Sequence, residues 1–153
     1  MPAWNMSQRR ALSADHPVDR MLELWSVPPT DDSITLFRDV YADPYRVNGA
    51  SISVAEIVER ASRIHIALRG LQHVLIDRVD DGCRTVVLLE QRGVHVGDLP
   101  SPLGVVPPTG RLLTRRFVEL IDHDGQRLVE AKVIADDLER LVQAGAVRLT
   151  AAM

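Results

Sequence analysis

Two ionisable side chains fall where strand periodicity surrounds them with apolar neighbours. In the segment 111–122, counting by twos puts Leu113, Arg115, Phe117, Glu119 and Ile121 on one face. A carboxyl in that company loses solvation, which moves its pKa toward neutrality. There it can take a proton from a carbon beside a carbonyl and later return it. The competing roles for Glu119 are an outward position on the sheet or a pair with Arg115. His95 shares a strand face with Val87, Leu89 and Gln91, and a histidine there can relay a proton or hydrogen-bond a carbonyl. Its competing role is to hold strand and loop backbone. Glu90 and Arg92 take the opposite face, toward solvent or each other. His65 lies on an apolar helix stripe, where a satisfied buried histidine is the plainer reading. His16, His73 and His123 show no partner spacing.

Other chemistries lack their motifs. The sequence has no His-x-His or His-Glu-x-x-His pair for a metal, no Gly-x-Ser-x-Gly elbow and no glycine-rich phosphate loop. Asp136-Asp137 reads as a helix N-cap before it reads as a metal pair. Acid/base chemistry without metal or cofactor is what the residues offer.

Composition bounds the rest. The chain has 153 residues, 46% hydrophobic and 25% charged, enough for one domain with a sizeable core. Only 4% are aromatic, so any pocket is expected to have aliphatic walls, and base-stacking platforms are not expected. A net charge of −3 with no basic block argues against a nucleic-acid partner. No apolar run approaches the ~20 residues of a membrane span. Arg9 and Arg10 are not followed by an apolar h-region, and Cys83 is the lone cysteine, so a cytoplasmic location is expected. Lys132 is the only lysine among the basic residues, a bias of composition and not a site.

The elements that must position these side chains are legible in outline. Residues 1–16 are unpatterned and read as a loose tail. Pro17 opens a helix on which Val18, Met21, Leu22 and Trp25 share a face, and Pro28-Pro29 stops it. A second helix follows Asp31-Asp32, with Leu36, Phe37, Val40 and Tyr41 on one side, ended by Asp43-Pro44. Ser53 and Glu56 have capping-box spacing for a third helix with a stripe from Val54 through Ile57, Val58, Ala61, Ile64 and His65 to Leu68. Strands are expected at 71–79 and 84–96 around Asp80-Asp81-Gly82, then at 111–122 and 127–134 around His123-Asp124-Gly125. A Pro- and Gly-rich loop, 98–110, separates the two hairpins. Asp136 and Glu139 cap a last short helix carrying Leu138, Leu141 and Val142, which Gly145 ends. Helices first and an antiparallel meander after them read as α+β.

Several local stretches, in order, resemble the SnoaL-like polyketide cyclases of the nuclear-transport-factor-two-like superfamily. They are Leu24-Trp25, then Tyr45-Arg46-Val47-Asn48-Gly49, then Arg92-Gly93-Val94-His95-Val96-Gly97 and Pro107-Pro108-Thr109-Gly110-Arg111. The hairpin Asp124 to Glu130 and the stretch Asp136 to Gly145 complete the series. The resemblance covers about residues 17–146. It implies a cone-shaped α+β barrel, with N-terminal helices packed on a strongly curved, mostly antiparallel sheet around an interior pocket. The domain is expected at 17–147, with a short tail at 148–153. It also implies aldol-type ring closure without metal or cofactor, and a homodimer or homotetramer. The family's catalytic aspartate, however, aligns with Val133, and Ala131 replaces another usually polar pocket position.

Two functional expectations follow. The first is a cofactor-independent cyclase or isomerase acting on a small hydrophobic, carbonyl-bearing, polyketide-like compound. Glu119 and His95 would be its catalytic pair, with Val87, Leu89, Gln91, Phe117, Ala131 and Val133 shaping the pocket and Trp25, Tyr45 and Asn48 touching it. The second, motivated by Val133, is a non-catalytic binding or accessory module of the same fold. Epoxide opening is a further alternative; it wants an Asp/Arg/Asp-type cluster that the sequence does not assemble.

Overall fold

Each sequence signal for a helix has a physical counterpart in the computed structural model, which describes residues 16–148 and 150. Most of the two expected tails lies outside the described residues. His16 is not loose: its Nδ1 accepts the Val18 N–H at 3.2 Å and caps α1 (Pro17–Trp25), with Pro17 at the first helical position. In α2 (Ser33–Val40), Phe37 and Val40 are buried but Leu36 is 48% exposed.

The chain then departs from the expected reading. It does not coil after Asp43-Pro44; it forms β1 (Tyr41–Val47), which begins at Tyr41 and runs through the proline, and turns back as β2 (Ala50–Ile52). The turn places Asn48 at φ 49° and Gly49 at φ 83°, positions suited to asparagine and glycine. In α3 (Val54–Ala67) the capping box is complete: Ser53 Oγ accepts the Glu56 N–H, and Glu56 Oε2 accepts the Ser53 N–H at 2.7 Å. The stripe ends at Ala67, and Leu68 opens the first long strand.

That strand, β3 (Leu68–Asp81), pairs with β4 (Arg84–His95) around Gly82 at φ 59°. The segment expected to be a loop holds a small hairpin, β5 (Leu99–Ser101) and β6 (Gly104–Val106). The last hairpin is β7 (Leu112–His123) and β8 (Leu128–Ala135), and α4 (Asp137–Gln143) follows, its N–H at Glu139 capped by Asp136. On α4 only Leu141 of the three expected apolar residues is buried; Leu138 and Val142 point outward, 63% and 48% exposed.

The six-stranded sheet has the order β2-β1-β8-β7-β4-β3. All its neighbours are antiparallel except β1 and β8, which run parallel. The fold is α+β, with helices against one face of a mixed sheet. Its apolar residues divide into two clusters. One joins Val18, Met21, Phe37, Tyr41 and Ile57 to Leu89, Phe117, Ile121 and Ala131. The other joins Ala67, Leu68, Leu99, Leu113 and Leu141.

Candidate functional site

The first cluster is hollow. A cavity of about 320 Å³ opens among residues of α1, α3, β1, β3, β4, β7 and β8, so the sheet must be concave around it. Of the residues expected at the pocket, Trp25, Tyr45, Asn48, Leu89, Gln91, Phe117, Glu119, Ala131 and Val133 all line it. Val87 does not; it is fully buried in the surrounding core. The two exposed residues of the wall, Asn48 and Arg60, mark the mouth.

Strand parity brings Glu119 inward. It pairs in register with Val87 on one side and with Val133 on the other. Its carboxyl therefore stands directly across the ladder from the position where the sequence has valine in place of an aspartate. Among the described residues it makes no hydrogen bond and no ion pair. Burial pushes its pKa up to about 7, against a smaller opposing pull from the Arg115 guanidinium.

Arg115, four residues away on the same face, is held from behind. Its Nε donates to Asp137 Oδ1 at 2.8 Å, and its guanidinium lies 5.3 Å from the Phe117 ring centre. The same Asp137 oxygen accepts from Arg140 Nη2 at 3.3 Å, and Arg140 Nη1 donates to Gln91 Oε1 at 3.3 Å. That fixes the Gln91 amide so that its Nε2 donates to His73 Nε2 at 3.0 Å. His73 is therefore the neutral tautomer with its proton on Nδ1, and that atom is buried with no partner among the described residues. Burial first, then His65 and Arg115, lowers the His73 pKa to about 4.

Two tyrosines and an asparagine complete the polar wall. Trp25 Nε1 donates to Tyr41 Oη at 2.7 Å, whereas the Tyr45 hydroxyl has no hydrogen-bond partner among the described residues. Burial holds both tyrosines protonated by raising their pKa values, with Glu119 adding to the effect. Asn48 mimics a strand partner for β8: Val133 N–H donates to its Oδ1 at 2.8 Å and its Nδ2 donates to the Val133 carbonyl.

His95 is not brought to Glu119. It is fully buried, but beyond the cavity wall, where it is packed by the second cluster and its Nδ1 meets Thr109 Oγ1 at 3.0 Å. Its backbone N–H and carbonyl pair with Arg111 and Gly110. The competing role, holding strand and loop, is the one this geometry carries. His65 is satisfied, its Nε2 bonded to the Trp25 carbonyl at 2.9 Å. Glu90 and Arg92 pair on the outer face, with Arg116 joining Glu90 at 3.0 Å.

The residues missed in the sequence are His73, Arg60 and the Asp137–Arg140 pair behind Arg115. Among the described residues no group of three or more His, Cys, Asp or Glu could hold a metal ion, and no helix is long and apolar enough to cross a membrane.

No family model and no curated protein matches the chain by sequence. Solved structures do match by shape. TsrD from Streptomyces laurentii superposes with a TM-score of 0.71 at 19% identity, over 86% of this chain and 93% of that one. A protein from Jannaschia sp. CCS1 assigned to the SnoaL-like polyketide cyclases gives 0.67 at 17% identity, over 91% and 99%. Another from Acidithiobacillus ferrooxidans, assigned as a polyketide cyclase, gives 0.68 at 21% identity, over 89% and 99%. The chain has the fold of the SnoaL-like polyketide cyclases.

Proposed function

We propose that this protein is a cofactor-independent cyclase or isomerase that moves protons beside a carbonyl in a compact apolar substrate. One observation carries the reading: Glu119, a carboxyl without a partner among the described residues, faces a cavity whose enclosure brings its pKa to about 7. Near neutral pH both of its forms are populated, which is what a group that first accepts and then returns a proton requires. The carboxylate takes the proton from the carbon next to the carbonyl, and the electron pair moves onto the carbonyl oxygen. Tyr45 and Arg115 are wall donors with hydrogens not spent among the described residues, and they can hold that developing oxyanion. Reprotonation at another carbon isomerises the compound, and attack of the enolate on a second carbonyl closes a ring. The volume is at the lower end of the ~300–1,000 Å³ typical of ligand sites, which suits a ligand of one or two rings.

Loss of the aspartate at position 133 is thus compatible with catalysis, because Glu119 approaches the same space from the neighbouring strand. The epoxide-opening alternative gains an observation as well, since Arg115 lies between two carboxyls, Asp137 and Glu119. Only Glu119 reaches the cavity, however, so the pattern supplies a single acid/base group. A non-catalytic module would be favoured by a solid core, and the core here is open.

The test uses 2-tetralone in D₂O, following exchange of its acidic C–H groups by NMR. The protein is expected to accelerate exchange, and Glu119→Gln to remove roughly 10²–10⁴-fold of that acceleration. Equal rates for the two proteins exclude Glu119 as the base. No acceleration by either favours the binding-module reading.

A further inference from the structure

The charges around the cavity do not match those of the chain as a whole. The protein carries a net charge of −3, yet the ionisable groups on the cavity wall lean the other way. Among the described residues on the wall itself, Arg60 and Arg115 face a single carboxyl, Glu119. The wall therefore holds a surplus of one positive charge with Glu119 ionised, and of two with it protonated. His73 stays neutral and adds none.

Arg115 and Arg140 share Asp137, and so are partly neutralised. Arg60 has no such partner, for a reason that begins in the local sequence. The carboxylate one turn before it on α3, Glu56, is drawn back into the capping box with Ser53. The next carboxylate, Glu59, pairs with Arg63. Among the described residues Arg60 has no ion pair and no hydrogen bond. It nonetheless lines the cavity, exposed at the mouth, where its guanidinium can meet an entering ligand.

We propose that the site selects organic anions: a carboxylate on an otherwise apolar carbonyl compound docks on Arg60 at the mouth while its carbonyl end reaches Glu119. This deepens the acid/base reading above and rests on the same cavity being the substrate site. Three properties of the site favour an anion over the alternatives. A cationic ligand meets two arginines on the wall and a carboxyl that is half protonated at neutral pH. A fully neutral ligand leaves the Arg60 guanidinium with nothing but water. A carboxylate accepts a bidentate pair from it, the geometry that arginine supplies and lysine does not. With one end anchored at the rim, the apolar body is drawn along Ile57 and Phe117 toward the interior, so recognition and chemistry occupy opposite ends of the ligand.

The probes are 2-naphthoate and its neutral isostere 2-naphthamide, with binding followed by calorimetry on the whole chain. The unmodified protein is expected to bind the acid about five- to tenfold more tightly than the amide. Arg60→Gln should remove that preference by weakening the acid alone, and Arg60→Lys should restore part of it. Raising the salt concentration should weaken the acid and leave the amide unchanged. Equal affinity for the two probes in the unmodified protein overturns the proposal. So do failure to bind either probe and an Arg60→Gln variant that weakens both alike. Glu119→Gln, which is expected to abolish C–H exchange, should keep the acid preference. The two readings therefore fail on different variants and different readouts.

Discussion

His73 on β3 and His95 on its neighbour β4 each bond a side chain through one ring nitrogen, but one stands beside open space and the other in a filled core. His73 stands on the wall of a cavity, with one ring nitrogen tied to Gln91 and the other without a partner among the described residues. His95 is fully buried at the end filled by Leu68, Leu99 and Leu113; its Nδ1 meets Thr109, and its Nε2, like the His73 Nδ1, is buried without a hydrogen bond among the described residues. That end tolerates no additional atoms. A Cβ at Gly93 would lie 2.8 Å from the Leu68 Cβ, and one at Gly97 only 2.7 Å from the Ile66 carbonyl oxygen. The comparison teaches that sharing a strand face decides which side of the sheet a residue takes. Whether that place is hollow depends on what covers it. The β5–β6 hairpin and α4 supply Leu99, Val106 and Leu141 to fill the His95 end. At the other end α1 and α3 form a wall without filling the interior.

Three measurements put this contrast under strain, beginning with the largest expected effect. Leu113→Ala, in the filled end, should cost roughly 2–5 kcal/mol in urea unfolding, because its neighbours cannot collapse into the void. Leu22→Ala, on the cavity wall, should cost about 1 kcal/mol. Similar losses at both sites would mean that the two ends are packed alike. Next in size is the pH dependence of stability at the hollow end. Burial raises the Glu119 pKa from 4.5 to about 7, so the unfolded chain gains more than the folded one from ionisation in that interval. Stability from this group is intact below about pH 4.5, falls as the pH rises toward 7 and is level above it. Glu119→Gln should therefore stabilise the protein by roughly 2–3 kcal/mol at pH 8 and leave it unchanged at pH 4, read from denaturation curves at the two pH values. Smallest is Thr109→Val, which deletes the hydroxyl that holds His95. It should cost about 1 kcal/mol of stability without altering 2-naphthoate binding. A change in binding would connect His95 to the site after all.

Glu119 was legible because its strand keeps an unbroken period of two from Leu113 to Ile121, with the pairing to β4 regular throughout. His73 was not, and the reason is a single irregularity. Counting back from the Gly82 turn puts His73 opposite Arg92, on the outer face. A shift in register between Leu75 and Asp77 puts it opposite Gln91 instead, on the inner one. Nothing in the residue types at 75–77 announces that bulge. β1 was hidden by its own composition, since Asp43-Pro44 reads as a helix stop and Asn48-Gly49 as a bare turn. What makes it a strand is pairing with β8, a partner far along the chain. The Arg115–Asp137–Arg140–Gln91–His73 chain was beyond reach for a similar reason. It joins β3, β4, β7 and α4 through side chains whose ends meet only after folding.

That parallel pairing of β1 with β8 bears on how the protein is made. The side chain of Asn48 is bonded to the backbone of Val133, 85 residues later. The cavity wall between them therefore closes only when the last strand has been synthesised and has inserted beside one of the first. Hairpins such as β3–β4 and β7–β8 can form from neighbouring segments, but this join has to wait for loop closure across most of the chain. A nascent chain ending before β8 therefore lacks the Ala131 and Val133 side of the cavity.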